Sequence, residues 1–316
     1  MYHPEKLKKV FGEKLREHVS LRDMTSIHIG GVCDYFVDAK TIDDLITAII
    51  AAKEDKIPYF ILGGGSNILI SDFGFPGLVI KNSTSNISIL PDKSQIIADS
   101  GVNLGQLILR AISVGLGGLE PLYGIYGTLG GAVYGNAGAY GVEIFNFIKN
   151  VTLLNPDNKI QSVDRDWFEP TYRSSKLKKN KKKDYVILTI KIQLAQNKRE
   201  QLLENLGKYK GQRDDKFKAL GPSCGSIFKN PIPGKAFRDK ELAKRNSAGY
   251  LLESIGAKNI RYGDAGIYQN HANIIENKGQ ATAREVRVLV EELKEKVKEA
   301  HGKNLQEEIE YVGQWE

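Results

Sequence analysis

The 316-residue chain has little cysteine and little histidine, and neither is arranged as a disulfide or metal framework. Its two cysteines, Cys33 and Cys224, stand far apart, which excludes a disulfide-stapled fold and a cysteine-rich zinc site. The five histidines are scattered without the spacing of metal ligands. The sequence therefore predicts no metal site.

Long apolar runs are also absent. No stretch approaches the ~20 residues that a membrane-spanning helix requires, and the N-terminal segment lacks the apolar core of a signal peptide. We therefore expect a cytoplasmic protein with no membrane partner. With 41% hydrophobic and 26% charged residues, the chain has the composition of an ordinary globular protein.

The excess of positive charge is concentrated in one run. The formal net charge is +7, and the run consists of Lys176, Lys178, Lys179, Lys181, Lys182 and Lys183. A nucleic-acid-binding surface would add aromatic side chains for base stacking, and this run has none. It is typical of a solvated loop, and the net charge also suits an anionic small substrate. We expect no nucleic-acid partner.

Glycine, by contrast, is abundant in two segments. Residues 62–69 contain three successive glycines, and residues 124–141 contain seven glycines in eighteen positions. Glycine admits positive φ and lets the backbone approach a ligand closely, and successive N–H groups form concavities that bind anions. Neither segment has the Rossmann or P-loop pattern. Two such loops indicate a large ligand with a diphosphate, such as a dinucleotide.

Hydrophobic periodicity predicts an α+β chain. Helices are predicted for residues 41–53, 103–114, 199–214, 247–255, 282–299 and part of the second glycine segment, and residues 282–285 read as a capping box that opens the helix 282–299. Strands are predicted for residues 59–62, 78–80, 87–90, 95–98, 151–154, 185–194, 266–268, 272–275 and 307–312. The strands 87–90 and 95–98 are predicted to form a hairpin with residues 91–93 in its turn. The polar helix 199–214 is predicted to connect two domains.

Three polar segments carry candidate catalytic side chains. Arg173 lies in a turn rich in serine and tyrosine. It is predicted either to bind a carboxylate or phosphate through two hydrogen bonds or to be an ordinary surface arginine. Ser226 is either a proton donor or a turn serine, and no acyl-enzyme motif surrounds it. On the strand predicted for 307–312, Glu308 and Glu310 share one face. That arrangement predicts either an inward functional carboxylate or an edge strand protected by charge.

Taken together, these motifs resemble the family of UDP-N-acetylenolpyruvoylglucosamine reductases, the flavoenzymes of peptidoglycan precursor synthesis. The resemblance extends from about Thr25 to the last predicted strand. It rests on the order of the segments 25–31, 62–69, 124–141, 172–175, 225–231 and 271–273 and the strand that carries Glu308. The short spacing between Gly141 and Phe168 resembles the shorter members of the family, which lack a tyrosine-bearing loop.

The resemblance implies a vanillyl-alcohol-oxidase-type FAD-binding fold of two α+β subdomains with a separate α+β substrate-binding domain. The implied FAD-binding subdomains span residues 1–82 and 83–198. The implied substrate-binding domain spans residues 199–303, and residues 304–316 form a C-terminal strand that carries the catalytic glutamate.

The implied activity is the NADPH-dependent reduction of UDP-N-acetylglucosamine enolpyruvate to UDP-N-acetylmuramate through non-covalent FAD, by a monomer. Another FAD-dependent oxidoreductase of the same fold, acting on a hydroxy acid or a sugar, is the alternative. The residues implied to hold FAD are Gly63, Gly64, Gly65, Ser66, Asn67, Gly124, Gly127, Thr128, Gly131, Ala132, Asn136, Gly138 and Ala139.

Catalytic roles are implied for three residues. Arg173 and Glu308 match the pair that stabilises negative charge developing on the substrate carboxylate, and Ser226 matches the serine that protonates the adjacent carbon. A carboxyl beside that charge helps only when it is protonated or well paired, so the pKa of Glu308 is expected to be raised. The residues implied to bind the substrate are Tyr172, Arg213 and Asn230.

Two positions depart from the family pattern. Tyr126 stands where the family usually has proline, and because proline presets φ, the loop is predicted to be less rigid and FAD binding modestly weaker. Ile274 stands where phenylalanine is frequent, and this exchange of one apolar residue for another is expected to change little.

Overall fold

A computed structural model of the chain describes residues 2–179, 184–232 and 239–315. The chain divides into two compact units. Unit 1 comprises Met1–Arg16, Phe36–Gly64 and Gly77–Arg213, and unit 2 comprises Glu17–Tyr35, Gly65–Pro76 and Asp214–Glu316. The domain boundaries implied by the sequence stay predictions.

Helices and strands alternate along most of the chain. The helices are α1 (Glu5–Phe11), α2 (Ile42–Glu54), α3 (Leu104–Ser113), α4 (Leu129–Gly135), α5 (Lys176–Lys179), α6 (Arg199–Lys216), α7 (Lys240–Arg245), α8 (Ala248–Ser254) and α9 (Ala283–His301). The strands of the first half are β1 (Arg16–Ser20), β2 (Val32–Ala39), β3 (Tyr59–Leu62), β4 (Ile68–Ile70), β5 (Phe75–Asn82), β6 (Ile87–Leu90), β7 (Gln95–Asp99), β8 (Leu116–Gly117), β9 (Gly138–Ala139) and β10 (Val142–Glu143). Those of the second half are β11 (Ile148–Leu154), β12 (Ile160–Asp164), β13 (Val186–Gln193), β14 (Ala195–Gln196), β15 (Ser223–Ser226), β16 (Arg261–Tyr262), β17 (Ala265–Ile267), β18 (Ile274–Asn277) and β19 (Glu310–Val312).

Unit 1 is built on an antiparallel five-stranded sheet in the order β12–β11–β13–β7–β6. Alternation along β13 buries Ile190 and Ile192 beneath α3 and α4, because successive side chains of a strand point to opposite faces. The predicted hairpin is confirmed, with Ile87 opposite Ala98. Elsewhere in this unit β3 pairs in parallel with β5. The prediction of an α+β chain is therefore confirmed.

Unit 2 is built on an antiparallel four-stranded sheet in the order β15–β18–β17–β16. The apolar face of α9 packs into its core through Val286, Leu289, Val290, Leu293 and Val297, which recur at helical spacing. In the same unit the last strand, β19, pairs in parallel with β4.

The first turn of α9 has its N–H groups satisfied from two sources. Thr282 and Glu285 form the predicted capping box, in which the Thr282 hydroxyl accepts from the Glu285 N–H at 3.1 Å. In addition, the Asp72 carboxylate accepts from the N–H groups of Ala283 and Arg284 at 2.8 and 3.0 Å. Asp72 thereby joins the segment before β5 to the start of α9, and its negative charge faces the positive end of the helix.

Replacing Asp72 with alanine is expected to lower the stability of unit 2 by about 1 kcal/mol, because two N–H groups of α9 lose their acceptor. Urea unfolding followed by circular dichroism measures the effect. Asp92 lies at the surface in a short 3₁₀ turn and provides the control, Asp92→Ala. Equal unfolding midpoints for the two variants would contradict the capping role.

Candidate active site

The two glycine-rich loops touch each other through their backbones within unit 1. A Cβ at Gly63 would lie 2.7 Å from the Thr128 hydroxyl oxygen, and one at Gly64 would lie 2.5 Å from the Cα of Gly127. The contact at Gly64 is with backbone, so that position requires glycine, whereas a Cβ at Gly63 would force the Thr128 side chain to move. The contact holds the first loop, which follows β3, against the residues that begin α4.

Residues 65–67, the part of the first loop that lies in unit 2, are held by their carbonyl groups. The Gly65 carbonyl accepts from the Ser26 N–H at 3.0 Å, and the Asn67 carbonyl accepts from the Glu310 N–H at 3.1 Å. Among the described residues, no acceptor faces the N–H groups of Gly64 and Gly65. A turn with bonded carbonyls and open N–H groups has the polarity of an anion site.

Helix α4 begins and ends inside the second glycine segment. Thr128 caps its start by accepting from the Gly131 N–H at 3.3 Å. The helix ends at Asn136, which is buried and has the left-handed φ of +48°. The Asn136 side chain donates to the Thr171 carbonyl at 2.9 Å, while its Oδ1 atom has no hydrogen-bond partner in the described part of the chain. A buried acceptor without a partner costs free energy unless a bound group donates a hydrogen bond to it, so this segment is suited to binding a cofactor.

The remaining residues implied to hold FAD lie around α4. Ala132 is buried within the helix and Gly131 is exposed. Gly138 and Ala139 form β9, which pairs with β10.

Arg173 is anchored to the segment that follows α4. In the turn around it, the Ser175 hydroxyl donates to the Tyr134 carbonyl at 2.6 Å, and an Arg173 N–H donates to the Gly138 carbonyl. Together with the bond between Asn136 and Thr171, these bonds connect residues 134, 136 and 138 to the turn that contains Arg173. Arg173 itself has φ of +52°, which is uncommon outside glycine and marks a residue constrained by its surroundings.

Two of the residues implied to bind substrate also lie in unit 1. The Tyr172 ring lies beneath the Arg173 guanidinium, 5.1 Å from ring centroid to Cζ. The Arg213 side chain packs against Gly124, where a Cβ would lie 2.5 Å from the Arg213 Cδ, and its Cζ is 5.8 Å from the Tyr140 ring centroid. Burial lowers the pKa of Arg213, which the phenol of Tyr140 partly opposes.

Ser226 and Glu308 lie on adjacent backbone segments of unit 2. The Glu308 N–H donates to the carbonyl of Ile227, the residue after Ser226, at 2.7 Å. Both side chains are half-buried. Asn67 supports the second segment by donating to the Glu308 carbonyl at 3.2 Å. The structure therefore brings Ser226, Glu308 and Asn67 together, whereas Arg173 belongs to unit 1.

The buried side chain of Asn273 fixes the Ser226 segment. Its Oδ1 accepts from the Phe228 N–H at 2.9 Å and its Nδ2 donates to the Phe228 carbonyl at 2.8 Å, while its own carbonyl accepts from the Ile227 N–H at 2.9 Å. The predicted motif 271–273 therefore positions the segment that carries Ser226. Asn273 was predicted only as part of the motif 271–273, and the signal for its role was a polar residue among apolar ones just before β18. Asn230, implied to bind substrate, accepts from the Ala248 N–H at 3.0 Å.

The prediction of a strand over 307–312 is wrong at its start, because β19 begins at Glu310. Glu307 forms only an isolated bridge with Phe228, and its carboxylate pairs with the Lys294 ammonium at 2.9 Å. The backbone of Glu308 leaves the sheet to bond with Ile227, so strand alternation does not decide where its side chain lies. The raised pKa of Glu308 stays a prediction.

The lysine run is only partly described, since Lys181, Lys182 and Lys183 lie outside the described residues. Lys176 is half-buried, pairs with Glu169 at 2.9 Å and lies 5.2 Å from the Trp167 ring centroid. The described residues hold no cluster of histidine, cysteine and carboxylate side chains able to bind a metal ion, and none of the described helices is long and apolar enough to cross a membrane.

Known proteins resemble this chain along nearly its whole length. A profile for the C-terminal domain of UDP-N-acetylenolpyruvoylglucosamine reductase matches residues 215–312, and a profile for an FAD binding domain matches residues 33–164. UDP-N-acetylenolpyruvoylglucosamine reductase from Caldicellulosiruptor saccharolyticus is 38% identical over 94% of this chain and 91% of its own. This chain belongs to the UDP-N-acetylenolpyruvoylglucosamine reductase family.

Two further relatives extend the comparison. The reductase of this name from Caldanaerobacter subterraneus subsp. tengcongensis is 34% identical over 98% of both chains. The crystal structure of the Thermus caldophilus family member superposes with a TM-score of 0.76 at 29% identity, covering 94% of this chain and 99% of that one. Together with the FAD-binding profile, this superposition confirms the vanillyl-alcohol-oxidase-type fold that the resemblance implied.

Asn273→Ala is expected to destabilise unit 2 by about 2–4 kcal/mol, because two buried backbone groups of Phe228 lose their partners. Hydrogen exchange at the Phe228 amide, together with urea unfolding, measures the loss. The control is Asn270→Ala, since Asn270 is exposed and donates only to the Tyr268 hydroxyl at 3.0 Å. Unchanged protection at Phe228 would show that Asn273 does not hold the segment.

The family-motif residue His271 makes stability depend on pH. Burial, with the nearby Lys216 charge, lowers its pKa from 6.5 to about 4. The unfolded chain therefore takes up the proton first as the pH falls, so the contribution of His271 to stability is expected to be complete above pH 6.5 and to be lost between pH 6.5 and 4. The loss is on the order of 3 kcal/mol, since one pKa unit corresponds to about 1.4 kcal/mol.

His271→Asn keeps an acceptor near the position of Nδ1, which accepts from the Asn273 N–H at 3.3 Å, but does not titrate. This variant is expected to flatten the pH dependence of the urea midpoint, whereas His3→Asn at an exposed site should not. Parallel pH profiles for wild type and His271→Asn would refute the assignment.

Proposed function

We propose that this protein reduces UDP-N-acetylglucosamine enolpyruvate to UDP-N-acetylmuramate with NADPH, through non-covalently bound FAD, as a step of peptidoglycan precursor synthesis. Membership of the reductase family supports the reaction, and the match to an FAD binding domain supports the cofactor. The observation that carries the proposal is the backbone bond from the Glu308 N–H to the carbonyl of Ile227, which brings the segment that ends at Ser226 and the segment of Glu308 together. Reduction of an enolpyruvyl double bond requires a proton donor to carbon, and the Ser226 hydroxyl is the donor that we propose.

The two glycine-rich loops are proposed to hold the cofactor. The N–H group of Gly64, which is exposed and has no acceptor among the described residues, would donate to the diphosphate, and the Oδ1 atom of Asn136 would accept a hydrogen bond from the bound group. Bound there, FAD would supply the hydride chemistry that links NADPH to the terminal vinyl carbon of the substrate. The protein residues bind, orient and protonate around that transfer.

Arg173 is proposed to hold the substrate carboxylate. A guanidinium presents a planar fork that makes two bonds to a carboxylate, and its fixed charge stabilises the enolate that develops there. The anchoring of its turn to residues 134–138, with one N–H already given to the Gly138 carbonyl, orients the fork before substrate arrives. Preorganisation of this kind avoids a reorganisation cost during the reaction.

Ser226 is proposed to protonate the carbon next to the carboxylate, and Glu308 to support the developing charge. A serine hydroxyl is a weak acid in water, but an enolate carbon is a strong base, so a well-positioned hydroxyl is sufficient. Bonds from Asn273 to Ile227 and Phe228 fix the backbone that directly follows Ser226 and so support that position. Tyr172, Arg213 and Asn230 are the proposed contacts for the rest of the sugar nucleotide. Monomeric state and cytoplasmic location stay predictions.

The function is tested by the visible spectrum of the purified protein and by NADPH oxidation with and without the enolpyruvyl sugar nucleotide. Flavin absorbance, release of the flavin on acid precipitation and substrate-dependent NADPH oxidation are expected. A protein that binds FAD but does not respond to the enolpyruvyl substrate would be a different oxidoreductase of this fold.

Ser226→Ala is expected to separate the two half-reactions. Reduction by NADPH requires no proton donor to carbon and should stay close to the wild-type rate, whereas reoxidation by the enolpyruvyl substrate should slow on the order of 10²- to 10⁴-fold. Stopped-flow absorbance measures each half. Ser226→Cys should recover part of the loss, because a thiol also donates a proton. Equal slowing of both halves would instead give Ser226 a purely structural role.

A further inference from the structure

Lys81 holds the first glycine-rich loop from behind. It lies on β5, directly opposite Leu62 of the parallel strand β3, and its ammonium group donates a hydrogen bond to the carbonyl of Gly63. Gly63 is the first residue after β3. The side chain is half-buried. Neither glycine enrichment nor hydrophobic periodicity marks this lysine in the sequence.

The contact with Lys81 also sets the direction of the Gly64 N–H, because this N–H belongs to the same peptide group as the Gly63 carbonyl. A trans peptide is planar, so its C=O and N–H groups point in opposite directions. Because Lys81 binds the Gly63 carbonyl, the Gly64 N–H points away from the lysine. That N–H has no acceptor among the described residues, and Gly64 is exposed. A positive charge on the carbonyl also polarises the peptide and strengthens the N–H as a donor.

Rotation of this peptide is limited on both sides. The Cα of Gly63 lies against the Thr128 hydroxyl, and the Cα of Gly64 lies against the backbone of Gly127, where there is no room for a Cβ. Burial lowers the pKa of Lys81, and the charge of Asp38 opposes that shift. The loop therefore has a fixed backbone, with the Lys81 ammonium on the side opposite the Gly64 N–H.

We propose that Lys81 is a positioning residue for the cofactor diphosphate: it orients and polarises the Gly64 N–H and adds a positive charge behind the loop that receives the anion. This inference rests on the proposed function, because it takes the bound group to be FAD. Lysine is suited to the position, since a flexible stem with a compact ammonium reaches a single carbonyl.

The affinity for FAD tests the proposal without reference to turnover. Full-length holoprotein is dialysed to equilibrium and free FAD is measured by fluorescence at several salt concentrations. Lys81→Met is expected to raise the Kd for FAD about 10- to 100-fold, the range of one charged hydrogen bond. Its Kd should also depend less on salt than that of wild type, because one screened attraction is gone.

Three variants separate the possible causes. Lys81→Arg keeps the charge and a donor and should stay near wild type, whereas Lys81→Gln keeps a donor without charge and should lie between wild type and Lys81→Met. The matched control is Lys53→Met, because the Lys53 ammonium likewise donates to a loop carbonyl, that of Pro156, at 3.1 Å in unit 1. It should leave the Kd unchanged. If Lys81→Met does not fold, Lys81→Gln against Lys81→Arg decides.

The failure of each idea has its own signature. A wild-type protein that binds no FAD overturns the proposed function. Wild type that binds FAD, together with Lys81 variants that bind it equally well or with an unchanged salt dependence, overturns the role of Lys81 alone. Loss of affinity in Lys81→Arg as large as in Lys81→Met would show that side-chain shape, rather than charge, matters, and would also overturn the proposal.

Discussion

The close approach of two backbones at Gly64 and Gly127 is the constraint on which the architecture of unit 1 depends. Only residues without a Cβ permit this contact, and it brings the turn after β3 against the residues that begin α4. The position of α4, and of the residues bonded to it, depends on this contact. The helix is followed by Asn136, which has a left-handed φ, and the carbonyls of Tyr134 and Gly138 accept hydrogen bonds from the turn that contains Arg173.

In unit 2, side-chain hydrogen bonds rather than close backbone packing fix the segments that carry the candidate catalytic residues. Ser226 is the last residue of β15 and Glu308 lies shortly before β19. The backbone that follows Ser226 and the backbone at Glu308 therefore have no strand ladder to satisfy their N–H and C=O groups. The amide of Asn273 replaces that ladder by bonding both backbone groups of Phe228. The Glu308 N–H then uses the neighbouring carbonyl of Ile227. A bonded, buried network of this kind rigidifies a site because each broken bond leaves a costly orphan.

Regular elements were predicted well where one face is apolar. The helix α9 was found from its capping box and stripe of leucine and valine, and the hairpin β6–β7 from its turn residues. Strand β2 was missed, because Asp34 and Asp38 interrupt its apolar residues and obscure the alternation. The strand at the C-terminus was predicted too long, since a run of charged and apolar residues does not reveal that Glu308 bonds to Ile227 rather than to a sheet.

The sequence by itself determined which residue types are available to this protein: two glycine-rich segments, and an arginine, a serine and a glutamate in ordered motifs. These are local properties, and residue type alone is enough to state them. The tertiary structure decided which backbone groups remain open. Asn273 reaches Phe228 across 45 residues, and Lys81 reaches Gly63 across 18. Such partners are chosen by the packing of strands, so no local pattern could have identified them.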